Sequence, residues 1–165
     1  MLRKKKLFVR PKKAFESARI MEENELVKKY GLKNKREIWK TLAKITYYRR
    51  RAKELAKSSR EEQEVFFSKL NALGLKTNSI ADVLGLKVEN LLERRLPSVM
   101  ARKKIASSPK QARQMVAHKK VAVGGNVINI PSYIVPVAFE NSISIRKKQK
   151  QEQKKSSEVE EEQNA

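Results

Sequence analysis

A long segment without any carboxylate is the feature that most limits how this chain can fold. Residues 94–139 contain nine Lys and Arg residues but no Asp or Glu. Like charges at this density repel one another unless a polyanion lies against them. Because the same segment carries clear helix and turn signals, we predict that it folds and presents its cations on one surface.

The charge of the whole chain indicates the kind of partner. Its 165 residues include 39 Lys and Arg against 18 Asp and Glu, which gives a formal net charge of +21. Nucleic acid is the first candidate for compensating such a charge, and an anionic membrane surface is the second. Residues 36–57 imitate the basic amphipathic helix of a membrane-surface protein, but the motifs downstream favour nucleic acid.

Composition and motifs exclude several classes of protein. The chain has no Cys and one His, which excludes a disulfide framework, a cysteine nucleophile and a zinc finger. Its apolar runs reach about six residues, whereas a membrane-spanning helix needs about 20. The sequence contains no P-loop, Rossmann fingerprint, nucleophile elbow or evident pair of catalytic carboxylates. We therefore predict no enzyme activity, cofactor, metal site or small-molecule substrate, and no membrane partner.

Helical periodicity dominates the first half of the chain. Between residues 36 and 57, apolar side chains recur every three or four positions, which is typical of one buried helical stripe. Ser59 and Glu62 have the spacing of a capping box that starts another helix, which Gly74 ends. The apolar stripe of helix 36–57 is Ile38, Leu42, Ile45, Tyr48, Ala52 and Leu55. Further helices are predicted at 15–30, ending at Gly31, at 79–84, ending at Gly85, and at 88–95.

The sequence also predicts the surroundings of several side chains in the first two helices. Glu22, Glu23 and Glu25 are interpreted as an exposed charged face. Trp39 and Tyr48 lie on or beside the apolar stripe and are predicted to be in the core. Tyr47 is a candidate for an exposed stacking residue.

The second half combines short helices with strand-forming residues. Pro97 fits the first turn of a helix running to about residue 105, and Ser108 followed by Pro109 is a usual start for another, which runs to about His118. Two β-branched segments surround Gly124-Gly125 and predict a hairpin. Further short strands are predicted at 133–137 and 143–145. The predicted fold class is α+β, with a mostly helical N-terminal portion followed by a small α/β domain that contains two helices and a short hairpin or sheet.

These patterns divide the chain into four parts. Residues 1–13 form a basic arm, 14–92 the helical portion, 93–146 the small α/β domain, and 147–165 a charged tail that we expect to be disordered. A mitochondrial transit peptide is the alternative interpretation of the arm. Such peptides favour Arg and Ser in an amphipathic helix. This arm is mostly Lys and is interrupted by Pro11, which favours an arm that orders against a counter-charge.

The helix that starts at Ser108 carries residues well suited to nucleic acid. A helix start offers backbone amides and partial positive charge to phosphate oxygens. Lys110 and Arg113 can add charged hydrogen bonds, and Gln114 and His118 suit a sugar 2′-hydroxyl or a base edge. Because no acidic residue lies at helical spacing from these cations, an ordinary solvated helix face is disfavoured.

The motifs from residue 93 onward resemble the RNA-binding domain named after small-subunit ribosomal protein S4. The upstream helical part is similar to the S4 ribosomal protein family itself, in its archaeal and eukaryotic branch, so that the resemblance covers about residues 10–146. Synthases and synthetases with the same domain need a large catalytic domain, for which this chain has no room. The motifs are Tyr-Gly-Leu-Lys-Asn-Lys-Arg-Glu-Ile-Trp (30–39), Leu-Gly-Leu-Lys-Val-Glu-Asn-Leu-Leu-Glu-Arg-Arg-Leu (84–96), Ser-Pro-Lys-Gln-Ala-Arg-Gln (108–114), His118, Val-Ala-Val-Gly-Gly (121–125) and Asn-Ile-Pro-Ser-Tyr-Ile-Val (129–135).

The resemblance implies a structural role in the small ribosomal subunit. A member of this family is expected to bind small-subunit rRNA directly, to nucleate assembly of the 5′ domain, and to contribute to decoding accuracy near the mRNA entry side. The implied partners are rRNA, neighbouring small-subunit proteins, especially ribosomal protein S5, and mRNA at the entry site. The implied location is the cytoplasm, in the ribosome. A free-standing RNA chaperone or ribosome-associated assembly factor with the same domain is the alternative.

Candidate RNA-binding residues lie in the basic arm, in the helical portion and in the RNA-binding domain. By position, Arg95, Arg102, Lys110, Arg113, Gln114 and His118 match the family's RNA-facing pattern. Pro97 and Gly124 depart from the family pattern without threatening the fold. The complete set of candidates is Arg3, Lys4, Lys5, Lys6, Lys35, Arg36, Arg49, Arg50, Arg51, Arg95, Arg102, Lys103, Ser108, Lys110, Gln111, Arg113, Gln114, His118, Lys119 and Lys120.

Overall fold

The computed structural model of the chain describes residues 7–146. The candidate cations Arg3, Lys4, Lys5 and Lys6 and the predicted disordered tail lie outside the described residues. None of the helices within 7–146 is long and apolar enough to cross a membrane.

Helices precede a small antiparallel sheet, as the α+β prediction requires. The three strands lie in the order β2-β1-β3, with β1 antiparallel to both neighbours. A 3₁₀ turn, Val137–Phe139, precedes the last strand. The elements are α1 Ser17–Tyr30, α2 Arg36–Leu55, α3 Arg60–Ala72, α4 Ile80–Gly85, α5 Val88–Glu93, α6 Leu96–Arg102, α7 Pro109–Ala117, β1 Val121–Val123, β2 Asn126–Val127 and β3 Ile143–Ile145.

Of the two serine helix caps predicted from the sequence, at Ser59 and Ser108, the structure confirms the one at Ser108. Ser108 caps α7 by accepting a hydrogen bond from a backbone amide, and Pro109 occupies the first helical position, both as expected. Ser59 precedes α3 but its side chain makes no capping hydrogen bond, so the capping box with Glu62 is wrong. The reciprocal capping box that forms in the N-terminal half belongs instead to Ser79 at the start of α4.

The strand predicted at 133–137 does not form. Backbone pairing there is limited to a bridge between Ile134 and Arg95, with the Leu96 amide donating to Tyr133 O at 2.8 Å and the Val135 amide donating to Arg94 O at 2.9 Å. This segment pairs with the chain that enters α6, not with the sheet. Pro136 provides no amide to extend the ladder.

Three groups of buried side chains form the core. The stripe of α2 packs against α3, α4 and α5, although Leu42, predicted on that stripe, is 47% exposed. The C-terminal group joins α6, α7, β1 and the segment around Val135. The third group lies between them and consists of Tyr30, Leu32, Ile38 and Leu92.

Gly31 is a position of close backbone approach between the helical portion and α7. It ends α1 in the left-handed conformation, with φ of 59°. A Cβ atom added here would lie 2.8 Å from the Lys110 backbone nitrogen and 2.9 Å from the Pro109 carbonyl carbon. Because both neighbours are backbone atoms, they cannot move aside independently of α7.

We predict that Gly31→Ala destabilises the protein by about 2–4 kcal/mol, because it adds a left-handed backbone penalty to a backbone clash. Gly85→Ala is the matched control, since a Cβ atom added there would meet no atom within 4 Å and the φ of Gly85 is not positive. Urea denaturation followed by circular dichroism measures both variants. Equal midpoints for the two would contradict this account of Gly31.

Candidate nucleic-acid interface

Glu37, in the first turn of α2, holds two arginines of the C-terminal domain. The Arg113 guanidinium donates to its two carboxylate oxygens at 2.8 and 3.1 Å, and Arg95 Nη2 donates to Oε2. The Lys33 amide adds a hydrogen bond at 3.2 Å. Arg113 and Arg95 thereby fix α7 and the start of α6 to α2.

This ion-pair cluster lies largely inside the protein. The Arg95 side chain is 7% exposed and that of Glu37 is 16% exposed. Burial by itself raises the pKa of Glu37, but the hydrogen bonds and charges of Arg113 and Arg95 outweigh that effect and lower the pKa to about 2. Glu37 is therefore ionised at any physiological pH.

Arg94 also connects the helical portion to the C-terminal segment. Its guanidinium donates to Leu73 O at 3.0 Å, to Val135 O at 2.8 Å and to Glu140 Oε2 at 2.7 Å. Both arginines of the 93–96 motif are thus occupied by protein acceptors, since Arg94 and Arg95 are 8% and 6% exposed. The motif joins the two portions of the chain.

Glu140 binds two cations at the end of α6, Arg102 and Lys103. Arg102 Nη2 donates to its Oε1 atom, and Lys103 Nζ donates to its backbone oxygen at 2.6 Å and to Asn141 Oδ1 at 2.8 Å. Hydrogen bonds from Arg94 and Arg102 lower the pKa of Glu140. Arg102 and Lys103 therefore have partners within the protein, which sequence spacing alone did not indicate.

Glu23 is a buried acceptor, not part of an exposed charged face. It is 6% exposed and accepts from Arg19 Nη1 and Trp39 Nε1, both at 2.9 Å. The Lys35 ammonium lies 3.3 Å from its second oxygen. Burial opposes ionisation, but the hydrogen bonds from Trp39 and Arg19 and the nearby Lys35 ammonium together lower the pKa of Glu23. The prediction of an exposed face was wrong at this position.

The candidate arginines of α2 differ in their surroundings. Arg49 Nη2 donates to Leu86 O at 2.7 Å and so joins α2 to the loop after α4. Arg50 and Arg51 form exposed ion pairs with Glu54. Arg36, at the start of α2, is exposed and forms no ion pair with the described residues.

The outer face of α7 is basic, exposed and free of ion pairs with residues 7–146. Lys110, Gln114 and His118 are spaced by four residues, so they lie along one side of the helix. Lys119 and Lys120 are exposed in the turn that follows the helix. The opposite side is buried, with Ala112 and Val116 at 0% exposure. The structure thus brings these candidates together on one surface.

The start of α7 is less open than the sequence predicted. Ser108 Oγ accepts the Gln111 amide at 3.3 Å, and Gln111 Oε1 accepts the Ser107 amide at 2.8 Å. The backbone of Gly31 lies against the Lys110 amide. The expected phosphate site at this helix start is therefore partly filled by protein atoms.

A groove between α2 and the C-terminal domain adds two cations that the sequence interpretation missed. It has a volume of about 520 Å³ and is lined by Lys40 and Lys44 together with Arg95 and Arg113. Partial burial lowers the pKa of Lys44, although much of its side chain is exposed. Lys40 follows Glu37 by three residues, and Lys44 follows Lys40 by four. This helical spacing places all three residues on one side of α2, and it is the sequence signal that could have identified the two lysines.

Comparison with known proteins identifies similar chains. A family model described as the S4 domain matches residues 94–138. A protein of Methanosphaerula palustris named small ribosomal subunit protein uS4 is 44% identical over 145 residues, which cover 81% of this chain and 80% of the relative. Proteins of the same name from Methanococcus aeolicus and Halobacterium salinarum are 44% and 38% identical, covering 76% and 84% of this chain and 75% and 84% of the relatives.

We predict that Glu37→Gln lowers the free energy of unfolding by about 3 kcal/mol near neutral pH, because two partly buried guanidinium groups lose their counter-charge. The pKa of Glu37 is depressed in the folded state, so its stabilisation is complete above its ordinary value of 4.5 and disappears as the pH falls towards about 2. Urea denaturation from about pH 6 to about pH 3 should therefore show the two proteins converging in acid.

Glu64→Gln is the matched control, because Glu64 forms an exposed ion pair with Arg60 within one helix. Such pairs contribute at most about 1 kcal/mol. A pH-independent difference between wild type and Glu37→Gln would contradict the assignment of the acid-sensitive contribution to Glu37.

Proposed function

The chain belongs to the small ribosomal subunit protein uS4 family, and we propose that it is a structural component of the small subunit that binds small-subunit rRNA directly. The observation that carries this proposal is the exposed basic face of α7, whose cations have no carboxylate partner among residues 7–146. A surface of this kind suits the phosphate backbone of RNA.

Two kinds of contact are proposed for recognition. Lys110, Lys119 and Lys120 bind phosphates, which supplies affinity through the release of counterions. Gln114 and His118 contact sugar 2′-hydroxyls or base edges. Because these five residues are held on a rigid helix and the turn after it, their spacing selects a folded RNA shape more than a sequence.

Further contacts complete the proposed rRNA interface. The groove beside Glu37 adds Lys40 and Lys44, which line it together with Arg113 of α7, and Arg36 lies one residue before Glu37. The roles of Arg95 and Arg113 in RNA binding are indirect in this proposal, since Glu37 binds their guanidinium groups. Arg95 and Arg113 fix the positions of α6 and α7 relative to α2. Arg102 donates one hydrogen bond to Glu140, but its side chain is 49% exposed.

Family membership supports a more detailed proposal about place and time. The protein acts in the cytoplasm, in the ribosome, where it binds early and nucleates assembly of the 5′ domain. It then remains near the mRNA entry side, with ribosomal protein S5 as a neighbour and mRNA as a further contact, and contributes to decoding accuracy.

Sedimentation of a cell lysate through a sucrose gradient after a high-salt wash tests the ribosomal role. We expect the chain to remain with the small subunit in roughly one-to-one ratio with other subunit proteins, because many phosphate contacts act together. Release by salt, or an amount far below one per subunit, would favour an assembly factor or chaperone.

We predict that Lys110→Ala combined with Lys120→Ala weakens binding to a 5′-domain rRNA transcript and lowers the slope of log affinity against log salt by about 2, about 1 for each lost phosphate contact. Both residues are exposed, so circular dichroism should show an unchanged fold. Filter binding between about 50 and 200 mM salt measures the slope.

Arg60→Ala with Lys69→Ala removes the same charge from exposed positions of α3 and is the matched control. Equal losses of affinity in both double variants would mean that net charge alone governs binding, which contradicts a defined α7 surface.

A further inference from the structure

Two lysines adopt the left-handed backbone conformation that usually requires glycine. Lys104 and Lys119 both have φ of 57°, and they are the only non-glycine residues with positive φ within residues 7–146. Each follows the end of one of the two helices of the C-terminal domain, α6 and α7. The same unusual choice therefore occurs twice in the segment that carries no acidic residue.

The hydrogen bonds show that both positions are helix-terminating turns. After α6, the Lys104 amide donates to Ala101 O at 3.1 Å and the next amide, of Ile105, donates to Met100 O at 3.0 Å. After α7, the Lys119 amide donates to Val116 O and the Lys120 amide to Met115 O, both at 3.0 Å. This paired pattern is the Schellman motif, in which the left-handed residue is usually Gly.

Lysine at such a position costs folding free energy, because its Cβ crowds the backbone in the left-handed region. The chain uses glycine at its other positive-φ positions, Gly31, Gly74, Gly124 and Gly125. A cation near a helix C-terminus does interact favourably with the helix dipole. That benefit does not require the strained position, because the neighbouring Lys103 and Lys120 already place cations at the same helix ends.

Neither strained lysine has a side-chain partner in the part of the chain that the structure describes. Lys104 and Lys119 are exposed, and neither side chain forms a hydrogen bond or an ion pair with residues 7–146. The neighbouring Lys103, by contrast, is turned inward onto Glu140 and Asn141. Lys119 instead lies in a run of three exposed residues, from His118 to Lys120.

We infer that Lys104 is a further phosphate-binding residue of the rRNA interface, and that both it and Lys119, which the proposed function already assigns to that interface, are retained at these turns at the expense of fold stability. Lys104 extends the proposed interface from α7 to the end of α6, a position that neither the sequence interpretation nor the family resemblance assigned. This inference rests on the proposed function, because it requires that rRNA is the ligand.

The test measures stability and affinity on the same variants of the full chain. Lys104→Gly and Lys119→Gly are each expected to raise the melting temperature by about 2–4 °C, because glycine relieves the left-handed backbone. Each is also expected to weaken binding to the 5′-domain rRNA transcript and to lower the salt slope by about 1. A higher melting temperature together with weaker RNA binding would identify a residue that serves binding at the expense of stability.

Conservative variants separate charge from backbone conformation. Lys104→Asn and Lys119→Asn tolerate the left-handed region without a charge and should resemble the glycine variants in both measurements. Lys104→Arg and Lys119→Arg keep the charge and the strain, and should resemble wild type. Lys76→Gln, at an exposed position in the loop between α3 and α4, controls for the loss of one charge.

The outcomes distinguish this inference from the proposed function. If wild type binds the rRNA transcript no better than an unrelated structured RNA of equal length, the proposed function fails. If wild type binds specifically and Lys104→Gly binds with the same affinity and salt slope, the inference about Lys104 is overturned while the proposed function stands. Glycine variants that lose both stability and affinity would likewise overturn it, since the lysines would then be structural.

Discussion

The carboxylate of Glu37 is the contact on which the arrangement of the two portions depends. It lies on α2, yet its partners Arg95 and Arg113 are 58 and 76 residues away in sequence. Removing the Glu37 carboxylate would leave the guanidinium groups of Arg95 and Arg113 partly buried without a counter-charge, which is strongly unfavourable. Gly31 places the backbone of α1 against α7 next to this cluster, so the polar and steric constraints fix the same junction.

The cations of the C-terminal domain are divided by chemistry as well as by position. Those that hold the protein together are mainly arginines, such as Arg94, Arg95 and Arg113, whereas the free exposed face is lysine-rich, as at Lys110 and Lys120. A guanidinium presents a planar fork of donors that suits several fixed acceptors at once, whereas an ammonium is a strongly hydrated point charge on a flexible stem. Arginine therefore suits the interior joints, and lysine suits a surface that meets phosphates.

Most local features were predictable from the sequence, with the Ser59 capping box and the strand at 133–137 as exceptions, whereas long-range partners were not. The fold class, the α7 start at Ser108 and Pro109, and the hairpin at Gly124-Gly125 depend on neighbouring residues, and all were correct. The roles of Arg95 and Arg113 depend on Glu37, which no local pattern connects to them. The same limit explains Glu23: its spacing resembles an exposed helix face, but Arg19, Lys35 and Trp39 surround it. Sequence spacing indicates which residues lie on the same face of a helix. It does not indicate which distant residues pack against that face in the folded protein.

Ion pairs inside the protein also affect how strongly the outer face of α7 can bind a polyanion. Glu23, Glu37 and Glu140 each interact with at least two cations inside the protein, so few carboxylates remain near the domain to compete for its surface lysines. A lysine that already holds a carboxylate must break that pair before it can bind a phosphate, which offsets part of the gain. The lysines of α7 have no such pair among the described residues, and releasing their counterions to solvent is favourable. The ion pairs that stabilise the fold therefore leave the outer face free for RNA.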